Sequence, residues 1–337
     1  MHFVWIILVL LTLAAFVDFA YRRFASRRIQ KIFENVPPFV IVPAERTPDA
    51  VELRIPASDG LTLSGSLFVP LCDHPRSLVI FFPPLNGSHW MAPRYCQAIL
   101  DDGHAVLGFD FRNQGESDDQ DGYSPIHWIT EFEMADAAAV LEFVESHPKL
   151  SRLPLAAFGV SRGGAAALVA ACRYPGIRSV IADSAYGTTS MTKRFVRRFG
   201  RYVIPERAFN LLPDWHIDQT LRQAVGLSET ARNCRYVHVE QECLHRDPDT
   251  PVLLISGGRD SYVTADVAMD LAACFGGDDC LWVVEKARHN MARSVLQQEY
   301  DERIVRHITR SMNQPASSEV SPGGQRISSH NRAAAAS

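Results

Sequence analysis

The chain has 337 residues, 47% of them hydrophobic and 21% charged, with a net charge of −4. That is the composition of a folded domain with a sizeable core, and it excludes a disordered chain. The mildly acidic balance argues against nucleic-acid binding. The seven cysteines are spread out with no C-x-x-C pair, which argues against a disulfide framework or a zinc site and fits buried thiols in a reducing compartment.

The chain opens on "FVWIILVLLTLAAFV", residues 3–17, apolar apart from Thr12. A helix from Phe3 to Ala20 would be about 27 Å long at ~1.5 Å per residue, close to the ~30 Å of a hydrocarbon core. Its Leu, Ile, Val and Phe side chains favour insertion by about 3 to 6 kcal/mol, against up to ~3 for Asp18, which sits near the end where the cost is lower. The alternative is a cleaved signal peptide. That reading lacks a basic start and a clear A-x-A site, and Arg22, Arg23, Arg27, Arg28 and Lys31 follow at once. A transmembrane anchor over residues 1–21 is therefore expected, with the cations placing the following domain on the cytoplasmic side. Residues 22–50 read as a basic juxtamembrane segment and linker.

"VELRIPASDGLTLSGSLFVP" is two alternating apolar runs joined by Asp59-Gly60, a hairpin signature. "SLVIFF", "AVLGFDF", "LPLAAFGV", "IRSVIADS", "PVLLISG" and "CLWVVE" follow as apolar runs that read as buried strands. Helical spacing lies between them, over 91–102, 126–147, 163–174 and 266–275, with a last helix over 291–312. Strands alternating with helices predict an α/β domain over 51–312 with a mainly parallel sheet covered on both faces. Residues 188–248 interrupt the rhythm as an insertion between consecutive strands. Residues 313–337, rich in Ser, Ala, Gly and Pro, are expected to be disordered.

The chemistry is concentrated at "AAFGVSRGGAAALVA". Gly159-Val160-Ser161-Arg162-Gly163 fits G-x-S-x-G and falls between a predicted strand and a predicted helix, the context that pattern requires. A sharp turn there forces Ser161 into strained dihedrals and leaves no room for neighbouring Cβ atoms, hence the glycines. Ser161 also stands at a helix N-terminus, where N–H groups favour developing negative charge. A serine nucleophile needs a base and a group to orient that base. Asp260 in "LLISGGRDS" follows one predicted strand and His289 in "VVEKARHN" follows the next, in the order Ser…Asp…His. Asp260 also reads as a turn residue or helix cap, and His289 as a solvated loop residue. Asp183 is the second candidate for the acid; Glu285 is weaker because it falls within a strand.

These motifs resemble the α/β-hydrolase superfamily, and within it the serine-aminopeptidase-like and dienelactone-hydrolase-like branch. "SDGLTLSGSLFVP" is similar to its entry hairpin, and "FDFRNQGESD" to its D-x-R-G-x-G-x-S loop, with Asn113 where glycine is usual. "GVSRGG", "GGRD" and "ARHN" are similar to its nucleophile, acid and histidine motifs. The resemblance spans about residues 50–312 apart from the insertion. It implies an eight-stranded sheet, a Ser161–His289–Asp260 triad, no metal or organic cofactor, and a helical lid over about 188–248. It also implies an oxyanion hole from the N–H groups of Arg162 and of Leu85, because Pro83-Pro84 stands where the family has His-Gly. Asn86 and Ser88 are further donors from side chains. The lid opens on "MTKRFVRRFGRYVIPERAF", a basic amphipathic helix whose Phe195 and Phe199 are expected to contact substrate. Its cations face either water or an anionic lipid surface. A membrane-tethered serine hydrolase of esters, thioesters or amides with a small-molecule or lipid-like acyl substrate is the leading expectation. Acyl transfer by the same residues, or a non-catalytic binding protein on this fold, are the alternatives.

Overall fold

The hairpin expected at Asp59-Gly60 starts the sheet. In the computed structural model, which describes residues 2–35, 44–200, 212–244 and 249–313, β1 (Val51–Pro56) pairs antiparallel with β2 (Thr62–Phe68). Gly60 closes the turn at φ +91°. Six apolar strands follow where the runs predict them: β3 (Leu78–Phe82), β4 (Ala105–Phe109), β5 (Leu155–Val160), β6 (Ile177–Asp183), β7 (Val252–Gly257) and β8 (Leu281–Val284). They form one eight-stranded sheet in the order β1-β2-β4-β3-β5-β6-β7-β8. β2 runs antiparallel to β4, and every later pair is parallel.

Alternate side chains of each strand enter separate cores, as strand geometry requires. Leu78, Ile80 and Phe82 face α3 (Glu131–Ser146) and α4 (Arg162–Arg173), where the buried alanines of α4 allow close approach to the sheet. Val79 and Phe81 face α2 (Ala92–Asp101) and the C-terminal helix of the described chain. Two helix boundaries differ from the sequence reading. The helix expected from residue 126 starts at Glu131, because Thr130 caps it: Thr130 Oγ1 accepts from the Phe132 N–H at 3.2 Å and Glu133 Oε2 accepts from the Thr130 N–H at 2.8 Å. The helix expected over 291–312 breaks at Leu296, whose φ −134° and ψ 59° are not helical.

Two larger differences concern the additions to the sheet. The first helix, α1, runs from His2 to Glu34, so the basic juxtamembrane residues and the first residues expected as linker are helical. The sequence has no helix breaker before Pro37, and Ala25, Ser26, Ile29 and Phe33 are buried against the body of the protein. The insertion contributes α5 (Thr188–Gly200), α6 (Asp214–Arg232) and α7 (Val239–Cys243), followed after β7 by α8 (Ala265–Ala273) and then by α9 (Ala292–Val295) and α10 (Gln297–Asn313). The cations of α5 are largely engaged with protein. Lys193 pairs with Asp218 of α6 at 3.1 Å, Arg194 pairs with Asp266 of α8 at 2.6 Å, and Arg198 donates to the Ser261 carbonyl at 3.3 Å. Lys193 thus pairs within the insertion, while Arg194 and Arg198 tie it to the segment after β7. Residues 313–337 were expected to be disordered; beyond Asn313 they lie outside the described residues.

Candidate active site

Ser161 sits at the turn from β5 into α4 with φ 54° and ψ −119°, the strained conformation that its flanking glycines predicted. Two close approaches make the turn possible. A Cβ on Gly159 would lie 2.2 Å from the Gly163 carbonyl oxygen, and one on Gly163 would lie 2.2 Å from the Phe82 oxygen and 2.4 Å from the Pro83 oxygen. The Ser161 N–H donates to the Asp183 carbonyl at 2.7 Å, which pins the turn to the end of β6.

The three residues selected from the sequence meet here. Ser161 Oγ lies 2.9 Å from His289 Nε2, and His289 Nδ1 lies 2.7 Å from Asp260 Oδ2. Asp260 makes both a turn contact and an imidazole contact. Its Oδ1 accepts from the N–H groups of Tyr262 and Val263 at 2.8 and 2.9 Å, closing a turn, while its Oδ2 faces the imidazole. Asp183, the second candidate acid, is engaged elsewhere: it accepts from Tyr300 Oη at 2.8 Å and from Ser184 Oγ at 2.9 Å. Complete burial pushes its carboxyl up to about 6. Ser184 Oγ in turn accepts from the Asn290 N–H at 3.1 Å, so Asp183 supports the loop that carries His289.

The loop after β3 carries the proline pair. Pro83 and Pro84 carry no amide hydrogen. The Asn86 N–H is committed to Gln114 Oε1 at 2.7 Å, and Asn86 itself is exposed at φ +59°. Among the described residues, neither the Leu85 amide, the first after the prolines, nor that of Ser88 has an acceptor, and Arg162, first in α4, likewise has an N–H without a helical partner. The amides of Leu85 and Arg162 belong to the segments that Gly163 brings into backbone contact.

The eight-stranded order with its antiparallel entry, and a serine turn after the fifth strand facing a histidine after the eighth, decide the architecture. This is an α/β-hydrolase fold. A family model described as the alpha/beta hydrolase fold matches residues 77–220. Solved structures with similar folds include an esterase from Pyrococcus furiosus (21% identity, 82% of this chain and 97% of that chain, TM-score 0.59). An esterase domain of a Rhodothermus marinus protein is also similar (17% identity, 78% and 98%, TM-score 0.51). So is a lidless serine hydrolase from Xanthomonas campestris (16% identity, 81% and 100%, TM-score 0.50). A comparison with curated protein sequences finds no match.

On this α/β-hydrolase fold, further side chains complete the surroundings. Tyr262 lies edge-on to His289, ring centroids 5.4 Å apart, and burial raises its phenol well above the usual range. Phe195 of α5 lies 5.7 Å from Tyr262, one ring removed from His289; the side chain of Phe199 lies outside the described residues. The Arg162 side chain is fully buried and pairs with Glu133 at 3.1 Å beneath the turn. His127 is 1% exposed, neither ring nitrogen has a hydrogen-bond partner among the described residues, and burial with the nearby Arg162 charge lowers its imidazole to about 3. Tyr262, two residues after Asp260, and Glu133, inside the Thr-x-x-Glu capping box, had local sequence signals. Gln114 falls in the loop that resembles the family's, but its bond to the Asn86 N–H carried no local signal, and His127 had none, because Phe195 and Tyr262 around it are distant in the chain. Asn113, where the family has glycine, takes φ +58° and bonds its side chain to the backbone of Gln120 and Tyr123. Among the described residues no group of three or more His, Cys, Asp or Glu side chains is arranged to hold a metal ion.

Proposed function

We propose that this chain is a membrane-tethered serine hydrolase that cleaves a carboxylic ester or thioester, with amides a slower extension. The observation that carries the reading is the pair of contacts at His289, 2.9 Å to Ser161 Oγ and 2.7 Å to Asp260. His289 Nε2 takes the hydroxyl proton as Ser161 Oγ attacks the substrate carbonyl carbon. The imidazolium is stabilised and oriented by Asp260, then returns the proton to the leaving alcohol or thiol as the carbonyl–heteroatom bond breaks. A water, deprotonated by the same imidazole, then attacks the acyl-serine; the carbonyl–Oγ bond breaks, the proton returns to Ser161 Oγ and the carboxylic acid leaves. The negative charge on the tetrahedral oxygen is held by the N–H groups of Arg162 and Leu85, a contribution of about 10²–10³ in rate per donor.

The tether reading is supported by the first half of α1. Phe3, Trp5, Leu8, Leu11, Leu13, Phe16 and Val17 are all more than half exposed apart from Leu8 at 49%, an exposure that suits hydrocarbon better than water. The five cations of residues 22–31 then favour a cytoplasmic domain. Such a tether would hold the domain beside acyl lipids or acylated proteins, which makes a lipid-like acyl substrate the reading with most support.

A fluorophosphonate probe on the full chain tests the reaction. The wild type is expected to label and Ser161→Ala to remain unlabelled. Absence of labelling in a folded wild type would leave the binding-protein alternative standing.

A further inference from the structure

The second half of α1 is built into the protein. Ser26 Oγ donates to the Thr220 carbonyl at 3.2 Å and to Gln223 Oε1 at 3.0 Å, both on α6. Ile29 packs with Val196 of α5 and with Leu221 and Ala224 of α6. At its end, Phe33 stacks on Trp128, ring centroids 4.6 Å apart and planes 11° from parallel. The Trp128 Nε1–H donates to the Phe33 carbonyl at 3.0 Å. Phe33 and Trp128 are 2% and 1% exposed.

From Trp128 the ring contacts continue to the site. Trp128 meets Phe195 at 6.2 Å, Phe195 meets Tyr262 at 5.7 Å, and Tyr262 meets His289 edge-on at 5.4 Å. His127 fills the angle between them, with its ring 4.5 Å from Trp128 and 6.0 Å from Tyr262. His289 is therefore held on one edge by Asp260 and packed against Tyr262. A close-packed interior passes small displacements along such contacts. A catalytic ring must be held within about 10–20° of its productive orientation.

We propose that Phe33, acting through Trp128, Phe195 and Tyr262, is a positioning residue for His289, so that the helix leading from the apolar N-terminal segment forms a supporting wall of the site. The inference rests on Ser161, His289 and Asp260 being the reacting set. It implies that a fragment starting after α1 reacts more slowly than the full chain even with water-soluble substrates.

The test uses the full chain in detergent micelles. The second-order rate of fluorophosphonate labelling is measured per mole of folded protein, across pH, for wild type, Phe33→Ala, Phe33→Leu, Tyr262→Leu and the Phe33→Ala/Tyr262→Leu double variant. Leu71→Ala, at a fully exposed position, serves as the control. Phe33→Ala is expected to slow labelling by about three- to thirty-fold and to displace the acid limb of the pH profile. Phe33→Leu, which keeps bulk without the stack, is expected to fall between. If the ring chain carries the effect, Phe33→Ala slows the Tyr262→Leu background much less than the wild type. The inference is overturned if Phe33→Ala labels within about two-fold of wild type with an unchanged profile, or if the two effects simply multiply. Should Phe33→Ala not fold, the same criteria applied to Phe33→Leu decide. A wild type that does not label refutes the reacting set itself, a different outcome from a wild type that labels and variants that match it.

Discussion

At Asp260 one carboxylate does two things with two oxygens. Oδ1 closes the turn onto Tyr262 and Val263, and Oδ2 holds the Nδ1–H of His289. Asp260→Asn keeps an oxygen for the turn but loses the anionic partner, so the fold is expected to survive while kcat falls by about 10⁴. Ester turnover and a thermal melt on the same sample check this; a loss below ten-fold would count against the triad. His127 presents the opposite case, a polar ring with no hydrogen-bond partner among the described residues. Its native imidazole is depressed to about 3, whereas in the unfolded chain it titrates near its ordinary value of about 6.5. The unfolded state therefore binds a proton that the native state refuses. Stability present above about pH 6.5 is lost progressively as the pH falls toward 3. At pH 5 the loss from this residue is about 2 kcal/mol. His127→Phe, which keeps the ring contacts to Trp128, Phe195 and Tyr262, is expected to regain about that amount at pH 5 and less at pH 8. Urea titrations at the two pH values measure it, and equal effects at both would refute the assignment.

At the scale of elements, the site is a meeting of two backbone segments that side chains cannot separate without damage. Gly163 presses the first turn of α4 onto Phe82 and Pro83, the segment that leads to Leu85. Gly163→Ala must push these apart. It is expected to lower probe labelling by at least about ten-fold and to destabilise the fold by about 1–3 kcal/mol, read by labelling rate and denaturant midpoint. Labelling unchanged from wild type would show that the donors do not depend on this contact. The same scale shows what local patterns could reach. G-x-S-x-G, the strand runs and the Asp59-Gly60 turn were legible because each depends on neighbours within a few residues. The capping box at Thr130 was equally local, and it sets the start of α3 at Glu131 where apolar spacing alone placed it at 126. The break at Leu296 carries no comparable signal, since neither glycine nor proline stands there.

At the scale of the whole molecule, α1 joins two environments. Its first half is apolar and exposed, and its second half is docked on α6 and Trp128. Two arginines placed in the first half, Leu8→Arg with Leu11→Arg, would cost about 6 kcal/mol at the bilayer centre, enough to cancel the insertion energy of about 3 to 6. Wild type is expected to stay with membranes through an alkaline wash and the double variant to appear in the supernatant, still labelled by the probe. A wild type recovered in the supernatant would end the tether reading. The basic pattern of α5 looked from sequence like a surface for water or lipid. In the fold Lys193 and Arg194 face carboxylates on α6 and α8 while their side chains stay partly exposed.

By itself the sequence determined the alternation of strands and helices, the serine turn, and the candidates Asp260 and His289 with their order along the chain, because periodicity and turn chemistry are properties of short segments. Tertiary structure decided that His289 faces Asp260 and not Asp183, and that the Asn86 amide after the proline pair is committed to Gln114 while that of Leu85 is not. It also decided that Phe33 lies at the far end of a row of rings leading to the imidazole. Those outcomes depend on which distant side chains compete for one hydrogen bond or one patch of buried surface, and that competition exists only once the chain has folded.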